Sequence, residues 1–92
     1  MKYSALITDD DWAKLPEHLR EGVTAYIDDR RPVGGFLQAV IENNLRDAVL
    51  CADHTNRERL PDIVSFFYWS VPSPAWGSPE KYRAWINGDD IP

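Results

Sequence analysis

The chain contains little cysteine, no long apolar run and few basic residues, and each shortage excludes a class of protein. Cys51 is the only cysteine among 92 residues. No disulfide can therefore form within the chain, whereas small secreted domains often need such crosslinks. No window approaches the roughly 18 to 20 apolar residues of a membrane-spanning helix. The apolar stretch within the first seven residues is too short and too interrupted for the apolar region of a signal peptide. We therefore expect a cytoplasmic protein that does not insert into a membrane.

Basic residues are outnumbered by acidic ones. Ten Lys and Arg against fifteen Asp and Glu give a net charge of -5. Proteins that bind nucleic acids ordinarily place cations against phosphates, so we expect no direct contact with nucleic acid. The carboxylates come in short runs at 9–11, 28–29 and 89–90, which solvation and the helix dipole explain. An acidic mimic of nucleic acid that occupies a basic groove remains an alternative function.

Apolar residues recur at helical spacing along most of the chain, and glycine and proline separate the segments. Residues 1–92 are predicted to form a single all-α domain of four to five short helices, with a radius of gyration of about 12 Å. Residues 1–8 are predicted to be weakly extended and 9–14 to form a short helical turn. The last helix is expected between Ser78 and Gly88. The positions predicted to face inward are Leu19, Val23, Tyr26, Ile27, Phe36, Leu37, Val40, Ile41, Leu45, Ala48, Val49, Ala52, Leu60, Ile63, Val64, Phe67, Val71, Tyr82, Trp85 and Ile86.

Prolines and caps predict the boundaries in the first half of the chain. Pro16 suits the first position of a helix, and Pro32 ends that helix. The apolar pattern from 36 to 52 is compatible with one long helix. Asn44 is nevertheless a suitable N-cap three residues before Asp47, so we expect two helices there.

The strongest helix signal lies in the second half. Thr55 and Glu58 fit a capping box, which predicts a central helix over 57–71. Pro61 falls within this segment. It either kinks the helix or delays its start to near Leu60.

Residues suited to catalysis or metal binding are sparse. A small enzyme or metal site around Cys51, Asp53 and His54 is an alternative, but a structural zinc site needs four Cys or His ligands. The chain holds one cysteine and two histidines, and His18 is distant in sequence. The apolar neighbours of Cys51 predict a buried, inert thiol. We therefore predict no enzymatic activity and no catalytic, metal-binding or cofactor-binding residue.

Four consecutive aromatic residues lie in the predicted central helix, and another follows in the next loop. Because one helix face cannot bury them all, either the helix is buried on several sides, which we favour, or some rings are exposed. Exposed Trp and Tyr are enriched at binding hot spots. Tyr68, Trp69 and Trp76 are therefore candidate partner contacts, with Asp28 and Asp29 as acidic neighbours. A homodimer that covers the aromatic rings is a further hypothesis.

Several short motifs follow one another in a recognisable order. They are Pro16-Glu17-His18, Gly34-Gly35-Phe36-Leu37, Asn43 with Leu45, Ile63-Val64 with Phe67-Tyr68, and Trp76-Gly77-Ser78-Pro79-Glu80. Together they resemble a family of small phage and prophage proteins, mostly of unknown function. The resemblance covers about residues 15–87 and leaves 1–14 as an N-terminal extension.

This resemblance implies a phage-encoded accessory protein that acts inside a bacterial host. It transfers no catalytic residue. Small proteins of this origin often block a host protein, including components of defence systems, although that is an analogy between proteins rather than a property of any residue. The leading hypothesis is a protein that binds and modulates or inhibits a host macromolecule through protein–protein contacts.

Overall fold

The structure, a computed structural model, describes residues 3–88. These residues form seven α-helices and two 3₁₀ turns, with no β-strand among them. The helices are α1 (Asp9–Trp12), α2 (Glu17–Asp29), α3 (Gly35–Ile41), α4 (Leu45–Cys51), α5 (His54–Glu58), α6 (Leu60–Ser70) and α7 (Pro79–Asn87). The 3₁₀ turns span Tyr3–Leu6 and Ser73–Ala75. Across the described range, every helix is too short or too polar to cross a membrane.

The all-α prediction is confirmed, but the expected number of helices was too low. Asn44 and Asp53 each cap a new helix, and these caps divide apolar patterns that look longer in the sequence. At Asn44 the side-chain oxygen accepts a hydrogen bond from the backbone N–H of Asp47 at 3.2 Å. The preceding residue, Asn43, adopts a left-handed φ of 60°, which asparagine tolerates better than most residues. The predicted break within 36–52 is therefore confirmed.

The capping box predicted at Thr55 was wrong. Asp53 is the N-cap instead, and its carboxylate accepts a hydrogen bond from the backbone N–H of Asn56 at 2.7 Å. Aspartate caps helices at least as well as threonine, so α5 starts earlier and ends before Arg59. Helix α6 then begins at Leu60 with Pro61 in its first turn, where the missing N–H of proline needs no partner. The later start considered for the central helix is therefore confirmed.

The first eight residues were predicted to be extended, yet Tyr3–Leu6 form a 3₁₀ turn. Its backbone is held by a tertiary contact, because Asp28 of α2 accepts hydrogen bonds from the backbone N–H of Ser4 at 3.0 Å and from the Ser4 hydroxyl. Helix α1 follows as expected. Thr8 caps it by accepting a hydrogen bond from the backbone N–H of Asp11 at 3.2 Å.

The core surrounds α6 and the inner face of α2. In α6, Ile63, Phe66 and Phe67 are fully buried, which supports the prediction of a central helix. The radius of gyration of 12.2 Å agrees with the expected value. The buried apolar residues are Leu15, Leu19, Val23, Tyr26, Ile27, Phe36, Leu37, Ala39, Val40, Ile41, Ala48, Ala52, Ile63, Phe66, Phe67, Val71, Ala75, Tyr82 and Trp85.

Tyr26 joins three distant parts of the chain within this core. Its hydroxyl donates a hydrogen bond to the carbonyl of Ala75 in the second 3₁₀ turn. The carbonyl of Tyr26 accepts a hydrogen bond from the indole nitrogen of Trp85 at 2.8 Å. The ring of Tyr82 stacks on that of Tyr26, with centroids 5.7 Å apart. Helix α7 is thereby fixed against α2.

Four residues predicted to be buried lie at the surface instead: Leu45, Val49, Cys51 and Val64. The first three belong to α4, whose only buried residue is Ala48. A small side chain at the contact lets α4 lie close to its neighbours while the larger side chains on either side remain in solvent. The same packing overturns the prediction of a buried thiol, because Cys51 is exposed.

Candidate functional site

The large apolar side chains that remain exposed lie mainly along one continuous band. Leu45 and Val64 line a shared groove between α4 and α6, and Val49 lies one turn beyond Leu45. Tyr68 lies one turn beyond Val64, and its ring contacts that of Trp69. Trp69 in turn lines a cleft together with residues of the first 3₁₀ turn. We define the apolar band as Tyr3, Leu6, Leu45, Val49, Val64, Tyr68 and Trp69.

The geometry of α6 places Tyr68 and Trp69 in solvent. Successive residues of a helix are rotated by about 100°, so the face that buries Ile63, Phe66 and Phe67 turns these two rings outward. Tyr68 is 65% exposed and Trp69 is 72% exposed. Their rings meet edge to face at 84°, with centroids 4.9 Å apart, an arrangement that aromatic pairs favour. The preference for burial of the whole aromatic stretch was therefore wrong for Tyr68 and Trp69 and correct for Phe66.

One end of the band borders a small apolar groove of about 40 Å³. The backbone of α4 approaches α3 there through Ala48, and Leu45 and Val64 project on either side. The residues that line it are Ala39, Val40, Asn43, Asn44, Leu45, Ala48, Leu60 and Val64. A groove of this size accepts a methyl-bearing side chain and is far below the ~300 Å³ of a typical small-molecule pocket.

The other end of the band borders a larger cleft of about 240 Å³, which we call the N-terminal cleft. It lies between the first 3₁₀ turn, α1 and α6. Its lining combines apolar and aromatic side chains with one carboxylate and two hydroxyl-bearing residues, contributed by Tyr3, Leu6, Ile7, Asp11, Trp69 and Ser70. The hydroxyl oxygen of Ser70 is buried and has no hydrogen-bond partner within residues 3–88.

Helix α1, which supplies Asp11 to the cleft, is fixed against α6 by two contacts. The ring of Trp12 packs on Phe66, with centroids 5.2 Å apart. The guanidinium of Arg59 donates hydrogen bonds of 2.9 Å to the carbonyls of Ala13 and Lys14, just after the helix. Because these two contacts fix α1 against α6, Asp11 is held at the cleft.

The 3₁₀ turn that forms the opposite wall is also held in place. Asp28 binds Ser4, as described above, and the ring of Tyr3 packs against Trp85 with centroids 5.9 Å apart. The carboxylate of Asp28, which the sequence suggested as a partner contact, is thus occupied in positioning this wall. Asp29 follows with an exposed side chain.

Trp76, the third aromatic candidate, lies apart from the apolar band. It is half-buried and packs on Phe67, with centroids 5.9 Å apart. Since Phe67 belongs to the buried face of α6, Trp76 covers the core rather than extending the exposed pair.

Cys51, Asp53 and His54 do not form one site. Asp53 caps α5, and its second carboxylate oxygen lies 3.7 Å from Nε2 of His18. His54 is paired instead with Glu58, with Nε2 and Oε1 3.1 Å apart. Across the described part of the chain, no three His, Cys, Asp or Glu side chains are grouped so that they could hold a metal ion.

Comparison of the chain with protein-family models, with curated proteins and with solved structures finds no match. The resemblance to small phage and prophage proteins therefore stays a prediction.

Sequence reasoning missed most of this surface, since it did not single out Tyr3, Leu6 or Asp11. It also assigned Leu45, Val49 and Val64 to the core. Leu45 follows the same helical pattern as buried residues, so periodicity assigned it to the core. Asp11 carried a usable signal, because three consecutive carboxylates exceed what the first turn of a short helix requires. Its position beside Trp69 depends on the contact between α1 and α6, which sequence spacing does not reveal.

Proposed function

We propose that this protein binds another protein through the apolar band and thereby modulates its partner. The observation that carries the proposal is the exposed edge-to-face pair of Tyr68 and Trp69 at the middle of a continuous apolar surface. Isolated apolar side chains on a surface are ordinary, whereas contiguous ones mark interaction sites. Trp and Tyr are also the residues that most often dominate binding energies.

The shape of the band favours a protein partner. It combines a raised aromatic pair with a depression at each end, so an interlocking surface can insert side chains and receive the two rings. Such complementarity is typical of protein–protein interfaces. A metabolite, by contrast, needs a deeper pocket than either depression provides.

The charge beside the band supports a partner with basic groups. Asp9 and Asp10 are exposed on α1 next to Asp11, and Asp62 is exposed on the outer side of α6. These carboxylates disfavour contact with nucleic-acid phosphates or anionic lipids. The resemblance to phage proteins supplies the expected class of partner, a bacterial host protein.

The two alternative functions receive no such support. An acidic mimic of nucleic acid would need free carboxylates aligned along one face, but Asp28 is bound to Ser4, and the pair at 89–90 lies outside the described residues. A site around Cys51 would need Asp53 and His54 to converge, and each has another partner.

The test compares wild type with Tyr68→Ala and with Leu50→Ala in affinity purification from bacterial lysate, followed by titration of the purified partner. Leu50 is a matched control, because it is 72% exposed but is not part of the band. We expect wild type and Leu50→Ala to bind one host protein equally. If Tyr68 is a hot spot, Tyr68→Ala should raise Kd by about 30-fold or more.

Two results would contradict this function. Equal retention of the partner by all three proteins would place the interface elsewhere. Self-association that rises with concentration in sedimentation experiments and disappears in Tyr68→Ala would assign the band to a homodimer.

A further inference from the structure

The N-terminal cleft is lined by a carboxylate in addition to side chains of the apolar band. Its walls bring an exposed indole, a phenol ring and a carboxylate around a space of about 240 Å³. Aromatic faces attract cations through their quadrupole, and a carboxylate supplies the counter-charge. This volume is below that of typical metabolite pockets and suits a single long side chain.

The carboxylate in the lining favours a ligand that donates hydrogen bonds. Asp11 and Trp69 line the same cleft. A charged acceptor forms stronger hydrogen bonds with a cationic donor than a neutral acceptor does.

Among residues 3–88, the charged groups around the cleft leave an excess of negative charge. Lys14 lies 3.4 Å from Asp11, and both side chains are about one-third exposed, so water screens this pair. Arg59 is engaged with the carbonyls of residues 13 and 14 and lies 3.6 Å from Asp62. Asp9 and Asp10 add two exposed carboxylates on the same short helix.

We propose that the N-terminal cleft receives an arginine side chain of the partner protein. The planar guanidinium stacks on Trp69 while its N–H groups donate to Asp11. Arginine fits better than lysine because its rigid fork offers five donors and stacks on aromatic faces. This inference rests on the proposed function and specifies the chemistry of the partner.

The experiment titrates the complete protein, without a partner, with Nα-acetyl-arginine amide and with its neutral isostere Nα-acetyl-citrulline amide. Binding is followed by NMR at the indole N–H of Trp69, which is assigned by its loss in Trp69→Leu. We expect wild type to prefer the arginine probe by about 3- to 30-fold, because the cation adds a stacking and an ion-pair contribution.

Three variants test whether the preference for the arginine probe arises from the charged residues of the cleft. Asp11→Asn should reduce it towards unity. Lys14→Gln should strengthen arginine binding by up to about fivefold, since it frees the carboxylate of Asp11. Glu21→Gln is the control for a change in net charge, because Glu21 is exposed on α2 and does not line the cleft, and it should leave the preference unchanged.

Equal binding of the two probes by wild type would overturn the inference, as would a preference that persists in Asp11→Asn. Leu45→Ala separates this result from the proposed function. Leu45 belongs to the apolar band but lines the groove at its other end and not the cleft, so the variant should keep the arginine preference even though it weakens partner binding. Partner binding that depends on Tyr68, without any arginine preference, would overturn only the assignment of the cleft.

Discussion

Two neighbouring aromatic residues, Phe67 and Tyr68, have opposite environments on the same helix. Phe67 is fully buried in the core, whereas Tyr68 is 65% exposed. Removing a buried aromatic ring forfeits its transfer free energy and leaves a cavity. Removing an exposed ring changes the free energy of the folded state only slightly. Substitutions at these two adjacent positions are therefore expected to affect different properties, stability at Phe67 and binding at Tyr68.

We expect Phe67→Ala to lower the free energy of unfolding by about 3 to 5 kcal/mol and Tyr68→Ala to lower it by less than about 1 kcal/mol. Urea denaturation followed by circular dichroism measures both. A loss of similar size in the two variants would mean that Tyr68 is packed in solution.

The same pair marks the limit of prediction at single residues. Helical periodicity correctly assigned Ile63 and Phe67 to the core. It placed Val64 on the inward stripe, which was wrong, and left Phe66 off that stripe, because both lie next to its centre and either can face a neighbouring helix. The deciding factor is Trp12 of α1, which covers Phe66, and that contact joins segments far apart in the sequence.

At the scale of helices, short capped elements replace the longer ones that apolar patterns suggest. Asn44 and Asp53 each accept a hydrogen bond from the backbone N–H three residues later. Such caps satisfy donors that a helix start leaves free. The loop before α7 ends in the same way, since Ser78 accepts from the backbone N–H of Lys81 at 3.1 Å.

We expect Asn44→Ala to lower the free energy of unfolding by about 1 kcal/mol through loss of this cap. Asn87→Ala is the matched control, because Asn87 is the exposed last residue of α7 and caps no helix start. Thermal and urea unfolding of the two variants provide the measurement. Similar stability in both would indicate that the break between α3 and α4 depends on packing rather than on the cap.

Local chemistry predicted the helix starts at Asn44 and Ser78 because each cap involves residues close in sequence. It misplaced the start of α5 because two candidate caps, Asp53 and Thr55, lie two positions apart. It also missed the 3₁₀ turn at Tyr3–Leu6, whose backbone is held by Asp28 from another helix. Local signals therefore identify helix ends well when one candidate is present and no distant partner intervenes.

At the scale of the whole molecule, Tyr26 joins α2 to the second 3₁₀ turn and to α7. Burial raises the pKa of its hydroxyl above the ordinary value of 10, and the neighbouring Tyr82 acts in the same direction. The neutral phenol is therefore favoured in the folded protein. Its donated hydrogen bond to Ala75 needs the same protonated form.

This pKa predicts the behaviour at high pH. Because the folded pKa is above the unfolded one, the stabilisation is fully present below about pH 10 and is lost as the pH rises beyond it. Tyr26→Phe removes the titration and leaves the buried carbonyl without its donor, which should cost about 1 to 3 kcal/mol at neutral pH. We expect its unfolding free energy to fall less steeply above pH 10 than that of wild type, and identical slopes would contradict this origin.

The fold class and compactness could be predicted from the sequence because composition and periodicity determine them. The candidate surface could be predicted only in part. Tyr68 and Trp69 were identified from their residue types, but Tyr3, Leu6 and Asp11 join them only after α1 packs on α6 and the first 3₁₀ turn packs on α2. Trp76 was grouped with them by residue type, which does not reveal that it packs on Phe67.

The long-range bonds of Tyr26 also determine when the protein can finish folding on the ribosome. Its hydrogen-bond partners lie 49 and 59 residues further along the chain, so α2 is synthesised well before the segments that cover it. At about 5 to 20 residues per second, Trp85 follows Tyr26 by about 3 to 12 seconds. Until α7 has been synthesised, the side of α2 that Tyr82 and Trp85 cover lacks these partners, so the core cannot close completely.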